Sequence, residues 1–277
     1  METIAIVGVG LIGGSLGLAL RKAGFPGTIL GVSSERSIAK ALELGAINAG
    51  SSLDEAAARA DVIYLAQPIA GILQTIEDLE PICRRNTLVT DAGSTKAAIV
   101  RKAGELLHGC QFLGGHPMAG KEARGVESAD AGLFRGRTYC LTPQDTADLN
   151  TPLASQFVAW IERCGAKPFT ISPDDHDKTV AFTSHVPQLA STALAVMLAD
   201  LPADRLTVAG PGAVDMTRLA LSAFGIWRDI LGTNRDAIDH ALAVYIDKLT
   251  ELRDNLQTQR IGEEFEVAAS LATRLRG

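Results

Sequence analysis

The stretch from Thr3 to Leu20, TIAIVGVGLIGGSLGLAL, constrains this chain more than any other. Ile4-Ala5-Ile6-Val7 is a short apolar run with the β-branched bias of a buried strand. Gly8-Val9-Gly10-Leu11-Ile12-Gly13 follows as a G-x-G-x-x-G turn, and Leu16, Leu18, Ala19 and Leu20 continue as an apolar helix that ends near Gly24. Strand, glycine turn and helix stand in the order that a dinucleotide pyrophosphate requires. The first glycine makes the tight turn, the second admits the phosphates to the backbone, and the third lets helix pack on strand. The first N–H groups of the helix, at Leu11 and Ile12, then face the phosphates with a partial positive charge.

Composition narrows the rest. The 277 residues suit one large domain or two modest ones. A hydrophobic share of 47% against 21% charged residues suits a soluble protein with a full core. A net charge of -6 argues against nucleic acid as the main partner. An anionic substrate therefore needs a local basic group. No apolar run approaches the roughly 18 residues of a membrane span. The N-terminus lacks the basic segment of an export signal, so a cytoplasmic protein is expected. Cys83, Cys110, Cys140 and Cys164 form no C-x-x-C pair and no metal-like cluster, and are expected as separate buried thiols.

Short apolar runs alternate with helical patterns through the first 170 or so residues. Strands are expected at Thr28–Val32, Val62–Ala66, Thr87–Asp91, Gln111–Gly114, Tyr139–Leu141 and Lys167–Ile171, with helices such as Arg36–Leu44, Ile72–Leu79 and Lys96–Leu107 between them. This alternation implies βαβ units, a mostly parallel doubly wound sheet, and ligands bound beyond the C-terminal strand ends. After Ser172-Pro173 the strand signal stops and long helical stretches take over, including Val180–Leu198 and Asp236–Gln259. The expected fold is thus α/β: a Rossmann-type dinucleotide-binding domain over residues 1–172, then an all-α substrate-binding and dimerisation domain over 173–277. In the last stretch Ile238, Leu242, Tyr245, Leu249, Leu252 and Leu256 form a heptad seam, which fits either a helix packed on its own domain or a subunit interface. A homodimer through the helical domain is expected.

The residues just after each strand carry the chemistry. After Val32 come Ser33, Ser34, Glu35 and Arg36, where NAD-binding folds usually place an acid for the ribose hydroxyls. Two hydroxyls and a guanidinium suit a 2′-phosphate, which favours NADP over NAD. Ser33 and Ser34 equally suit capping the next helix, and Glu35 suits the ribose. Ala66-Gln67-Pro68 forms either a loop against the cofactor or a plain turn. Ser94, in Asp91-Ala92-Gly93-Ser94-Thr95-Lys96, falls at the mouth of the sheet where the nicotinamide belongs, and also suits a helix cap. His116, in Gly114-Gly115-His116-Pro117, is unlike a core histidine and is the best general-base candidate.

Taken together, the residues resemble the prephenate and arogenate dehydrogenases of tyrosine biosynthesis. The resemblance rests on GVGLIGGS at Gly8–Ser15, DAGSTK at Asp91–Lys96, GGHPMAGKEARGV at Gly114–Val126, PDDHDKTVAFTSHVP at Pro173–Pro187, DMTRLA at Asp215–Ala220 and IWRDILGTN at Ile226–Asn234. It implies oxidation of a cyclohexadienol that carries a ring carboxylate and a 4-hydroxyl. Hydride leaves C4 for the nicotinamide, CO2 leaves C1, and the ring becomes a phenol. His116 matches the family's catalytic histidine and Ser94 a serine that orients the same region. Arg218 matches an arginine associated with a substrate carboxylate. His185 lies in a motif lining the pocket, while Glu122, Asp215 and Trp227 match residues around its mouth. His176 and Asp177 form a recurrent pair whose implied role is structural. The resemblance implies prephenate, arogenate or both as substrate; Gln188 stands where many prephenate-using members have a second histidine, so arogenate is expected to be accepted. The alternatives are a hydroxyacid or imine oxidoreductase using a helix lysine such as Lys178, and a non-catalytic module that senses dinucleotide.

Overall fold

A computed structural model of the chain describes residues 1–121 and 123–276. Glu122, one of the expected pocket residues, lies outside the described residues. The chain runs β1 (Thr3–Val7), α1 (Leu11–Lys22), β2 (Thr28–Val32), α2 (Glu35–Glu43), β3 (Ala49–Gly50), α3 (Leu53–Arg59), β4 (Val62–Leu65), α4 (Ile69–Leu79) and β5 (Leu88–Asp91). It continues with α5 (Ala97–Leu106), β6 (Gln111–Pro117), β7 (Thr138–Thr142), α6 (Pro152–Arg163) and β8 (Lys167–Thr170). These strands make one eight-stranded sheet in the order β3-β2-β1-β4-β5-β6-β7-β8. Every pairing is parallel except that of β6 with β7. The C-terminal ends of β1, β4, β5 and β6 therefore share one edge, and the glycine turn, Ala66–Pro68, Ser94 and His116 all lie along it.

The strand expected to stop at Gly114 continues to Pro117, because antiparallel β7 pairs with it through Gly114↔Thr142 to Pro117↔Tyr139. His116 is thus held in a strand rather than in a loop. The short pair β3 and α3 lies outside the expected elements. Its local signal is a capping box in which Ser52 Oγ accepts from Glu55 N and Glu55 accepts from Ser52 N. Cys83 and Cys110 also depart from expectation. The loop after α4 runs beside the turn into β6, with Cys83 O 3.3 Å from a Cβ built on Gly109, and both thiols are half-buried rather than buried.

The remaining elements are helical: α7 (Pro173–Val180), a π-helical turn (Ala181–His185), α8 (Val186–Ala199), α9 (Pro211–Thr217), α10 (Phe224–Thr233), α11 (Arg235–Asp254) and α12 (Arg260–Arg276). The single helix expected over 180–198 is interrupted at the π turn. Pro187 has no N–H to return to the carbonyl four residues back, and the Val186 N–H bonds instead to Ala181 O, five back. Among the described residues no helix is long and apolar enough to cross a membrane.

Two apolar layers flank the sheet. One packs α1 and α6 under Tyr64, Phe157 and Tyr139. The other joins α4 and α5 to Ala181, Val186, Ile230, Ile238 and Ala241, so the helical segment closes the second face of the sheet. Polar contacts reinforce that junction. Asp177, at the end of the first helical turn after β8, accepts from the N–H groups of Lys96 (2.7 Å) and Ala97 (2.9 Å) at the start of α5. Asp229 accepts from Ala70 N (3.0 Å) at the start of α4. Each carboxylate satisfies orphan donors at a positive helix end, as a cap does, but from a distant part of the chain. The heptad seam divides. Ile238 is buried and Leu242 and Tyr245 pack on the shared layer, whereas Leu249 and Leu256 are exposed on the chain.

Candidate active site

At the glycine turn, Gly8 sits at φ +92°, and a Cβ there would press on the Ala66 carbonyl carbon at 2.8 Å. A Cβ on Gly13 would strike Gly8 O, so α1 approaches β1 as closely as the third glycine allows. A Cβ on Gly10 would meet nothing within 4 Å. The space above Gly10, in front of the first N–H groups of α1 at Leu11 and Ile12, is therefore open, and its shape and donors fit a dinucleotide pyrophosphate. Ala66 and Pro68 flank this space at the end of β4, where Pro68 leads into α4.

At the end of β2, Ser33, Ser34 and Arg36 are exposed. Ser34 caps α2, its Oγ accepting from Ser37 N at 3.4 Å. The Arg36 guanidinium lies 3.7 Å from the Glu127 carboxylate across the open face.

Around His116 the polar groups are dense. Asp91 and Lys96 form an ion pair with both side chains fully buried. Asp91 accepts from Gly93 N (2.8 Å) and Gly115 N (3.0 Å), and the Lys96 ammonium donates to Gly115 O (2.7 Å). Both backbone groups of the residue before His116 are thereby fixed. Burial pushes the Lys96 ammonium down from its ordinary value, against the pull of the Asp91 carboxylate. Ser94, between the two partners in sequence, is half-buried on the loop into α5.

From the other side, His116 Nδ1 lies 2.9 Å from His176 Nε2, with the rings edge to face at 5.1 Å. His176 Nδ1 lies 2.8 Å from Asp177 Oδ1. Burial first, then the neighbouring His176, Lys96 and His185, hold His116 well below its usual value, so it is neutral near pH 7. His185, on the π turn, packs edge to face on Trp227 at 5.8 Å, and Asn234 Nδ2 lies 3.3 Å from its Nδ1. Burial lowers His185 to about 4, opposed by Asp177. One turn on, Gln188 is buried and donates through Nε2 to Leu219 O (2.8 Å) and Thr192 Oγ1 (3.2 Å). Leu219 follows Arg218, which opens an exposed turn after α9; Asp215 lies exposed on α9 itself. The structure thus brings His116, His176, His185 and Trp227 together at the junction of the two segments, with Gln188 one helical turn beyond His185.

Sequence reasoning gave His176 a structural role, without its contact to His116, and did not single out the Asp91–Lys96 pair. A His-Asp dipeptide beginning a helix after a strand was the available signal for the first. Nothing local marks a lysine as fully buried.

Two family models cover nearly the whole chain: the prephenate dehydrogenase nucleotide-binding domain matches residues 16–169, and the prephenate dehydrogenase dimerization domain matches 172–269. The chain belongs to the prephenate dehydrogenase family. This makes it an NAD(P)-dependent dehydrogenase with a family dimerisation domain, in keeping with the open glycine cradle. Within the family, the prephenate dehydrogenase of Bacillus subtilis is 33% identical over 268 residues, 93% of this chain and 71% of that protein. The prephenate dehydrogenase of Aquifex aeolicus, solved with hydroxyphenyl propionate and NAD+, has a TM-score of 0.90 at 29% identity, covering 99% of this chain and 98% of that one. Synechocystis arogenate dehydrogenase has a TM-score of 0.82 at 31% identity over 99% of this chain and all of that one.

Proposed function

We propose that this family member oxidises and decarboxylates arogenate, with prephenate as co-substrate, and prefers NADP to NAD. The observation that carries the reading is a neutral His116 at the sheet edge beside the dinucleotide cradle, hydrogen-bonded from the helical segment.

When bound, the nicotinamide supplies the hydride acceptor for C4. His116 takes the proton of the 4-hydroxyl as that carbon becomes a carbonyl. As CO2 leaves C1, its bonding electrons pass through the ring to the C4 oxygen, and His116 returns the proton to give the phenol. Ser94 holds the hydroxyl toward the cofactor. Arg218 binds a substrate carboxylate by two parallel hydrogen bonds, with Glu122, Asp215 and Trp227 around the pocket mouth and His185 lining it. The lysine-dependent alternative is disfavoured because Lys178 is largely exposed and faces Asp175 at 3.9 Å. A sensing module has no use for the buried apparatus around His116.

Gln188 favours arogenate. Its Nε2 is committed to Leu219 O and Thr192, an orientation that the carbonyl partner requires, so Oε1 is the atom left to meet a ligand. An acceptor there suits the ammonium of an amino acid side chain and not the oxygen of a keto acid. The wild-type specificity constant, followed by cofactor reduction, is expected to favour arogenate. Gln188→His is expected to move the ratio toward prephenate by about 10- to 100-fold, the worth of one charge-assisted hydrogen bond. An unchanged ratio would remove Gln188 from the choice, and no turnover with either substrate would overturn the proposed activity.

For the cofactor, the absence of an acid after Val32 and the exposed Ser33, Ser34 and Arg36 favour a 2′-phosphate. Arg36→Ala is expected to weaken NADP about 10-fold or more and to leave NAD nearly unchanged, since only NADP carries the extra phosphate. Equal loss for both would make Arg36 a structural partner of Glu127.

The helical segment leaves Val208, Leu221, Phe224 and Phe265 exposed, together with the second half of the heptad seam. We place a homodimer interface there. Light scattering at micromolar concentration is expected to read twice the 29.1 kDa chain mass, and a monomer mass would overturn the assignment. A cytoplasmic location accords with four free thiols.

A further inference from the structure

We infer that His176 is a positioning residue that sets the tautomer of His116, so that the helical segment arms a base carried by the nucleotide-binding sheet. The inference rests on reading His116 as the base.

With His176 neutral, the Asp177 carboxylate sets the direction of the hydrogen-bond chain. The Asp177 carboxylate is an acceptor only, and it takes three donors: the N–H groups of Lys96 and Ala97 and the Nδ1 of His176. The Nδ1 of His176 therefore carries a hydrogen. In neutral His176 the other nitrogen, Nε2, is then a bare acceptor. The atom 2.9 Å from it is His116 Nδ1, which with His176 neutral is the donor. A neutral His116 with its hydrogen on Nδ1 has a free lone pair on Nε2, and a lone pair is what a proton acceptor needs. The opposite tautomer would turn Nε2 into a donor and leave two bare nitrogens facing each other across 2.9 Å.

The rest of the surroundings agrees. His176 is 1% exposed, so water does not compete for its Nε2. Asp177 is held on both sides. Its carboxylate caps α5, and Asn234 Nδ2 donates to its backbone oxygen at 2.8 Å. The ring of His176 therefore has little freedom to turn. The arrangement follows the general logic of a base oriented by a third group, with a second imidazole between the carboxylate and the base.

Two measurements test this. In the first, the intact protein is labelled with nitrogen-15 at its five histidines, and ring resonances are assigned by the loss of one set in His116→Asn. At neutral pH His116 is expected to show a protonated Nδ1 and a bare Nε2. A protonated Nε2 in the wild type would overturn the inference, with no turnover needed. In the second, His176→Leu removes the acceptor and His176→Gln restores one on a flexible chain. His176→Leu is expected to lose the Nδ1–H signature of His116 and about 10²-fold in kcat, with KM for substrate and cofactor within about twofold. His176→Gln is expected to recover part of the rate. A folded His176→Leu protein with wild-type kcat and an unchanged His116 tautomer would defeat the positioning role while leaving His116 as the base. An active His116→Asn protein would instead defeat the base, a different failure.

Discussion

His116→Asn is expected to lower kcat by about 10²- to 10⁴-fold, with KM nearly unchanged. The substitution is chosen for its shape. An asparagine amide nitrogen reaches roughly the place of Nδ1, so the hydrogen bond to His176 Nε2 survives in the variant. What disappears is the lone pair on Nε2. The lost interaction belongs to proton transfer, which develops only as the C4 hydroxyl becomes a carbonyl, so the effect falls on kcat. The pH profile should agree. The imidazole is held well below its ordinary value, chiefly by burial and then by His176, Lys96 and His185. His116 therefore stays able to accept a proton down through the range where an exposed histidine is already charged. The acidic limb of kcat/KM is expected below the model-peptide value of about 6.5. If His116 merely braces the strand, the folded variant will turn over at the wild-type rate, and that result would end its assignment as the base.

The parts of this site that were legible in the sequence are those whose meaning is local. Gly8, Gly10 and Gly13 stand in a spacing that only a tight turn between strand and helix requires, and the structure places Gly8 at positive φ. His116 was visible because glycines and a proline surround it and a strand precedes it. Ser94 was visible because it follows a strand and a glycine. The antiparallel return of β7 was not, because a run such as Thr138–Thr142 carries no mark of its direction. The π turn had a local hint in Pro187, yet a proline near a helix start is ordinary, and only the Val186 to Ala181 bond shows the wider turn.

What remained hidden was long-range pairing. His176 meets His116 from 60 residues away, Asp177 caps α5 from about 80, and Asp229 caps α4 from 159. A capping carboxylate is usually recognised by its place just before the helix it caps. Here the caps arrive from the helical segment, so each cap is also a domain contact. The same carboxylate that seals α5 also holds the ring that faces His116.

Lys96→Met is expected to be the most damaging single substitution outside the cofactor turn, costing about 3–5 kcal/mol of stability. Methionine matches the length of the lysine stem and leaves the volume nearly filled, so the cost arises from charge. The Asp91 carboxylate would stay fully buried with only the Gly93 and Gly115 N–H groups as partners, and Gly115 O would lose its ammonium donor. A cost of that size corresponds to a fall in melting temperature of roughly 10 °C for a chain of this length. The loss should reach activity too, because Asp91 and Lys96 hold both backbone groups of Gly115, the residue that carries His116 into the site. The control is the double variant Lys96→Met with Asp91→Leu. Removing both charges deletes the unpaired carboxylate, so the double variant should be more stable than Lys96→Met alone, a non-additivity expected of residues in direct contact. Activity should not return with stability, since Gly115 N–H and C=O would both have lost their buried partners. A Lys96→Met protein that melts within about 2 °C of the wild type would show that water or a shifted backbone satisfies Asp91, and the pair would then have no claim to hold the strand beneath His116.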